Sequence, residues 1–215
     1  MSKTGRSNVE HWKKLQDESY FENHPCYEGI SDFGRDEATN AITNFIELKP
    51  NMKVVVIGCG YGRESVSLAS KVQTIYGIDV NKTILEKAVK YMRSHNIENF
   101  IPVEADHFVE TIPTGQDLIF SIVVMQHLTR DLVRNYFLEL SKKLNTQGCF
   151  IVQFLDVEKA NYEADAPDQS VEPSISWSLW QLVELARYSG LNFKWVKSYL
   201  ATEKALWHWV YFVKD

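Results

Sequence analysis

The sequence predicts an α/β fold built on a doubly wound, mostly parallel sheet of seven strands. Three observations carry this prediction. From residue 35 onward, apolar segments with strand character alternate with segments of helical period, as in successive βαβ units. A glycine-rich turn directly follows the first strand. The last two strand-like segments are only a few residues apart, which requires an antiparallel C-terminal hairpin because a parallel pair needs a long crossover.

The predicted elements follow one another in chain order. Residues 36–49 form an amphipathic helix in this reading, ended by Pro50 and the turn-forming Asn51. The apolar strand at 117–125 is expected in the middle of the sheet, buried on both faces. The other strands are predicted at residues 53–57, 74–78, 100–103, 149–155, 193–199 and 206–213. The other helices of this domain are predicted at residues 64–70, 82–95, 131–144 and 178–188.

Two segments do not follow the alternation. Residues 1–34 contain one predicted helix, at 9–21, and we interpret them as a helical cap over the active site of a single globular domain at 35–215. Residues 156–173 are acidic, contain two prolines and have no period. Loops of this length in compact domains are often functional, so this one is either a lid or a solvated surface segment.

Composition excludes several classes of protein. The chain has 215 residues, 45% of them apolar, with a net charge of −5, which disfavours binding to a nucleic acid phosphate backbone. The first residues lack the apolar core of a signal peptide, and no apolar run is long enough for a membrane span, so we expect neither export nor membrane insertion. The three cysteines have no disulfide or zinc spacing. We therefore expect a cytoplasmic monomer or homodimer that needs no metal, membrane or nucleic acid.

The glycine turn reads Gly58-Cys59-Gly60-Tyr61-Gly62 and lies between a strand and a helix. Glycine lets the backbone turn tightly and approach a ligand without a Cβ in the way. A dinucleotide fingerprint would need G-x-G-x-x-G with a small third residue at position 63, where this chain has Arg63. The spacing therefore favours a nucleoside with an amino-acid tail over a pyrophosphate.

Over residues 35–215 the chain resembles the class I S-adenosylmethionine-dependent methyltransferases. The glycine turn is similar to the first motif of this superfamily, and the C-terminal hairpin to its antiparallel seventh strand. The resemblance implies a Rossmann-like fold, S-adenosylmethionine as cofactor, and methyl transfer to O or N of a small-molecule acceptor.

The resemblance also implies roles for residues at the strand ends. Asp79 would accept hydrogen bonds from both ribose hydroxyls, although it is also suited to capping the next helix. Asp106 would receive the adenine amine, and the backbone N–H of His107 would reach a ring nitrogen. Residues 117–127 resemble the fourth-strand motif, which would line the methyl-donor pocket. The complete predicted cofactor set is Gly58, Cys59, Gly60, Gly62, Asp79, Val80, Asp106, His107, Ser121 and Ile122.

His127 is the candidate catalytic residue. It follows the fourth strand, at the edge where open α/β sheets bind ligands, and a neutral imidazole can accept a proton near pH 7. The alternative is a structural histidine, since transfer from an activated sulfonium can be driven by positioning alone. The predicted substrate-binding residues are Tyr20, His24, Tyr27, Gln126 and Trp177.

One position departs from the family pattern. Where these enzymes usually have Asp or Glu two residues before the first glycine, this chain has Val56, so backbone carbonyls of the turn would hold the methionine ammonium. Two other functions stay open at this point. One is a divergent or non-catalytic S-adenosylmethionine-binding protein, and the other is an NAD(P)-dependent oxidoreductase, which Arg63 and the terminal hairpin disfavour.

Overall fold

The computed structural model describes residues 3–17, 36–157, 175–203 and 205–215. By its internal contacts the chain divides into two compact units, Glu10–Ile112 and a second unit that joins Met1–Val9 to Pro113–Asp215. Helix α1 (Lys3–Asp17) contributes residues to both units. The predicted division into a cap at 1–34 and a domain at 35–215 stays a prediction, because residues 18–35 lie outside the described part of the chain.

The first unit contains three parallel strands and their connecting helices. Strand β2 pairs with both β1 and β3, and the register runs from Lys53 opposite Thr74 to Ile57 opposite Ile78 in the β1–β2 pair. Strand β1 is apolar and almost completely buried. The elements after α1 are α2 (Glu37–Thr43), β1 (Lys53–Ile57), α3 (Arg63–Ala69), β2 (Thr74–Asp79), α4 (Lys82–Ser94), β3 (Phe100–Glu104) and α5 (Phe108–Thr111).

The second unit contains the remaining four strands. Its elements are β4 (Gln116–Ser121), α6 (Arg130–Ser141), β5 (Leu144–Val157), α7 (Leu179–Tyr188), β6 (Asn192–Thr202) and β7 (Ala205–Val213). Strands β4 and β5 are parallel, whereas β7 runs antiparallel to both β5 and β6. Aromatic rings pack in the core of this unit. The ring of Phe137 stacks on that of Phe150, with 4.6 Å between the ring centroids, and contacts Phe212 edge-on, with 5.3 Å between the centroids. Burial of such rings is a major source of stability.

All seven strands belong to one mixed sheet, mostly parallel, with the antiparallel pairings confined to the C-terminal hairpin. The predicted α/β fold class and the hairpin are therefore confirmed. Within the described part of the chain, no helix is long and apolar enough to cross a membrane.

Several predicted boundaries need correction. The helix predicted at 36–49 ends at Thr43, and residues 46–49 are irregular. The strand predicted at 117–125 ends at Ser121, because Val123 adopts a left-handed φ of 55° and its N–H donates to the side chain of Gln153 at 3.0 Å instead of to a strand. Strand β5 begins at Leu144, five residues earlier than expected. The short helical segments at 105–111 were not predicted.

Candidate active site

The glycine turn after β1 has the conformation that its composition predicts. Gly58, Gly60 and Gly62 have φ values of 68°, 52° and 93°, a region that residues with a Cβ rarely adopt. Gly62 is the N-cap of α3, and a Cβ there would lie 2.5 Å from the terminal methyl of Met92 on α4. The turn is therefore built for close backbone packing, with its N–H groups at the end of β1.

Asp79, the last residue of β2, is bonded to this turn. Its side chain is only 5% exposed. Oδ2 accepts a hydrogen bond from the N–H of Gly60 at 2.9 Å, and Oδ1 accepts from the Gln16 side chain at 3.1 Å and from the N–H of Asn81 at 3.3 Å. Burial raises the pKa of the Asp79 carboxyl above its ordinary value, and these hydrogen bonds oppose the rise. The structure thus places a buried carboxyl group beside the glycine turn.

Asn81, not Asp79, caps the next helix. The Asn81 side chain accepts hydrogen bonds from the N–H groups of Thr83 at 2.8 Å and Ile84 at 3.3 Å, at the start of α4. An Asx side chain in this position satisfies helix N–H groups that have no other partner. The Asp79 carboxyl group is therefore directed at the glycine turn rather than at the helix.

Asp106 and His107 lie in a 3₁₀ turn, Ala105–His107, directly after β3. Both are exposed, and Asp106 Oδ2 lies 3.6 Å from Nζ of Lys13 on α1. Val80, next to Asp79, is half-buried. Because β1, β2 and β3 are parallel, the glycine turn, Asp79 and Asp106 all follow the carboxyl ends of their strands. That end is where open α/β sheets bind ligands.

In the second unit, Ser121 and Ile122 are buried at the end of β4. The backbone directly after them is held by Gln153 of β5, whose Oε1 accepts from Val123 and whose Nε2 donates to the Tyr199 hydroxyl at 2.8 Å. Gln153 was not singled out from the sequence. The feature of the sequence that could have identified it is a single polar side chain within an otherwise apolar strand, Ile151-Val152-Gln153-Phe154-Leu155.

His127 is half-buried and follows β4 in a 3₁₀ turn, Met125–His127. Its carbonyl accepts a hydrogen bond from the Asn8 side chain at 2.9 Å, and its Nε2 lies 3.0 Å from Nε2 of Gln126. An amide nitrogen only donates, so in this arrangement the ring nitrogen is the acceptor. His127 is thus engaged by its neighbours, and its role as a base stays a prediction.

The predicted substrate residues have different surroundings. Trp177 is 1% exposed, packs on Phe154 at 5.5 Å and lies under the Arg130 guanidinium at 5.7 Å. Gln126 is buried, and its carbonyl accepts from the N–H of Ile175 at 2.7 Å. Tyr20, His24 and Tyr27 lie outside the described residues, as does nearly all of the acidic loop. All five substrate contacts therefore remain predictions.

A second polar cluster lies on the C-terminal hairpin. His208 of β7 is buried, with Nδ1 2.7 Å from the Ser198 hydroxyl and Nε2 3.5 Å from Oδ2 of Asp156. Ser176 donates to the other oxygen of Asp156 at 3.0 Å. The cluster satisfies the polar atoms of a buried imidazole and joins β5, β6 and β7 side by side.

Comparison with known proteins bears on this arrangement. The profile of a family described as "Methyltransferase domain" matches residues 54–148, which include the glycine turn, Asp79, Asp106 and His127. Thiocyanate methyltransferase 1 of Brassica oleracea is 32% identical over 103 residues, 46% of each chain. Probable thiol methyltransferase 2 of Arabidopsis thaliana is 30% identical over 95 residues, 43% of this chain and 42% of that protein. The matches thus span less than half the length of these curated relatives.

Solved structures share the fold across nearly the whole chain. Phosphoethanolamine N-methyltransferase 2 of Haemonchus contortus, in complex with S-adenosylhomocysteine, has a TM-score of 0.69 at 15% identity, covering 91% of this chain and 59% of that one. Magnesium protoporphyrin IX methyltransferase of Synechocystis PCC 6803 has a TM-score of 0.67 at 13% identity, covering 100% and 99%. Residues 54–148 thus match a methyltransferase domain, and the seven-stranded sheet around them has the fold of these solved methyltransferases, as the resemblance to the class I S-adenosylmethionine-dependent methyltransferases implied.

Proposed function

We propose that this protein binds S-adenosylmethionine and transfers its methyl group to a small-molecule acceptor. The observation that carries the proposal is the 2.9 Å hydrogen bond from Gly60 to the buried Asp79, which joins the glycine turn to an acidic group at the ends of two parallel strands. A buried carboxylate is costly unless it receives hydrogen bonds. The ribose of the cofactor supplies hydroxyl donors, and glycines allow its backbone contacts, so the residues present fit this nucleoside.

The chain's own contribution to such a reaction is positioning. The cofactor supplies a methyl group already activated by a sulfonium, so an in-line displacement needs the acceptor held close and aligned. The turn residues and Asp79 would hold the ribose and methionine parts, and Asp106 the adenine. Ser121 and Ile122 would line the pocket of the methyl donor. Val56 is buried within β1, which leaves the carbonyls of the turn for the ammonium group.

For the acceptor, we propose a sulfur nucleophile such as a thiol or thiocyanate. The support is that both curated relatives, at 30–32% identity, are named for such acceptors, whereas the sequence by itself predicted oxygen or nitrogen. Thiocyanate is an anion, and a thiol is partly ionised near neutral pH. A sulfur acceptor therefore needs little help from a base, in keeping with an engaged His127 imidazole.

Calorimetry tests cofactor binding. S-adenosylhomocysteine should bind the wild-type protein saturably, and Asp79→Ala should weaken it by about 10- to 100-fold, because hydrogen bonds to a charged group are lost. Glu139→Ala is the control, since Glu139 lies on α6 outside the predicted cofactor set and accepts a hydrogen bond from Lys142 at 2.6 Å. The proposal would be overturned if the wild-type protein showed no saturable binding of S-adenosylhomocysteine. It would also be overturned if the protein instead changed the fluorescence of a nicotinamide cofactor, as an NAD(P)-dependent oxidoreductase would.

Turnover tests the acceptor and the base together. Formation of S-adenosylhomocysteine should be fastest with thiocyanate or small thiols, and His127→Ala should reduce it by less than about tenfold, since general-base catalysis typically contributes 100-fold or more. Turnover with only amines or hydroxyl compounds would contradict a sulfur acceptor. Cofactor binding without turnover of any of the three classes would favour a non-catalytic binding protein.

A further inference from the structure

Helix α1 lies on the residues at the ends of β2 and β3. Two of its side chains, one turn apart, point to the same surface. Gln16 donates to Oδ1 of Asp79 at 3.1 Å, and Nζ of Lys13 lies 3.6 Å from Oδ2 of Asp106. The carbonyl of Lys13 accepts from the Asn81 side chain at 3.1 Å. The helix therefore contacts both acidic residues that are expected to hold the nucleoside.

The hydrogen-bonding capacity of Asp79 is largely used within the protein. Besides Gln16, the backbone N–H groups of Gly60 and Asn81 donate to the carboxylate. A carboxylate offers about four lone-pair sites. Three of these sites are already filled, so Asp79 alone is poorly suited to accept from both hydroxyls of a ribose, as the family resemblance implied.

An acceptor with spare capacity lies next to it. Gln16 is 7% exposed, and its Oε1 is buried with no hydrogen-bond partner among the residues that the structure describes. The orientation of the amide is determined by chemistry, because only its nitrogen can donate to a carboxylate. A buried carbonyl oxygen without a partner is unfavourable, and a ligand hydroxyl would satisfy it.

We propose that Gln16 is a second ribose-binding residue, whose Oε1 accepts a hydrogen bond from one ribose hydroxyl while the other hydroxyl lies against Asp79. This inference rests on the proposed function. It also requires α1 to stay docked on the strand ends when the cofactor is bound, since the same amide donates to Asp79 and accepts from the ligand.

A cycle of variants and ligands tests the inference. Gln16→Met keeps the length of the side chain and removes both polar atoms. Its affinity for S-adenosylhomocysteine should fall about 5- to 10-fold by calorimetry, as expected for one lost hydrogen bond. The same measurement is made with the 2′-deoxy and the 3′-deoxy analogues of S-adenosylhomocysteine. For the analogue that lacks the hydroxyl bound by Gln16, the substitution should lower the affinity by less than about twofold.

Gln73→Met is the matched control, because Gln73 is exposed just before β2, and it should leave the affinity for all three ligands unchanged. Equal losses for all three ligands would show that Gln16 only anchors the helix. Unchanged binding would show that Gln16 makes no contact with the ligand, and tighter binding that its side chain obstructs the site. Any of these results overturns the inference. If thermal melting shows that Gln16→Met is unfolded, Gln16→Leu replaces it in the same cycle. Absence of binding by the wild type would instead refute the proposed function itself.

Discussion

At the scale of single residues, the buried carboxyl group of Asp79 is the most consequential feature. Two backbone N–H groups and one side-chain amide donate to it, yet burial still raises its pKa above the ordinary value of 3.8. The protein therefore maintains an acidic group where its charge is disfavoured. Such a cost, placed at the end of a strand beside a glycine turn, is typical of binding sites.

Asp79→Asn should change how stability depends on pH. A raised pKa in the folded state means that the favourable contribution of this group is present below the unfolded value and is lost as pH rises through the folded value. The free energy of unfolding of the wild type, relative to Asp79→Asn, should therefore fall as the pH rises above about 4. Urea unfolding of both proteins across this range measures the difference. A difference that stays constant, or rises, would contradict the assigned direction.

At the scale of elements, the turn between β1 and α3 requires glycine at position 62 for two separate reasons. Gly62 needs a left-handed backbone to start the helix, and it also needs the absence of a side chain because Met92 of α4 is buried against it. A side chain at position 62 would therefore have to displace the terminal methyl group of the buried Met92.

Gly62→Ala should destabilise the protein by about 2–4 kcal/mol, the sum of left-handed strain and overpacking against Met92. Gly190→Ala is the control, since Gly190 also has a positive φ, of 66°, but no atom lies within 4 Å of its added Cβ. It should cost only the strain, about 1–2 kcal/mol. Denaturant unfolding compares the two variants. Equal losses would mean that Met92 moves aside without cost.

Element boundaries were predictable where the cause is local. Strand β1 begins and ends at the predicted residues, and the bounds of α4 and α7 match their predictions to within one residue. These bounds depend on capping residues and apolar periodicity, both of which are local features of the sequence. The end of β4 was mispredicted. Apolar residues continue beyond Ser121, but the chain leaves the strand because the N–H of Val123 bonds a side chain 30 residues away.

At the scale of the whole molecule, each compact unit has its own apolar core and its own buried thiol. Burial raises the pKa of Cys149 to about 12 and that of Cys59 well above its usual value, with nearby carboxylates adding to both shifts. The thiolate is the reactive form of cysteine. These two thiols are therefore packing groups rather than nucleophiles.

The third cysteine, Cys26, lies outside the described residues, so serine replaces it in this test. The Cys26→Ser variant should resist alkylation while it is folded. At pH 8, iodoacetamide should leave Cys59 and Cys149 unmodified over hours and modify both within minutes in denaturant, as followed by intact-mass spectrometry. Because Cys59 and Cys149 belong to different units, unequal labelling at intermediate denaturant would show that one unit opens before the other. Stoichiometric modification of the native variant would contradict the assignment of both thiols as buried.

The sequence by itself determined the order of strands and helices, the antiparallel hairpin and the glycine turn with Asp79 at a neighbouring strand end. These follow from hydrophobic periodicity, from the short spacing of the last two strands and from glycines where the turn needs a positive φ. Only the tertiary structure decided which groups meet: Gln16 and Asp79 are 63 residues apart, and nothing local to either one specifies the other. Non-local partners depend on how the whole chain packs, and in this protein that packing supplied the residue we propose as a second ribose contact.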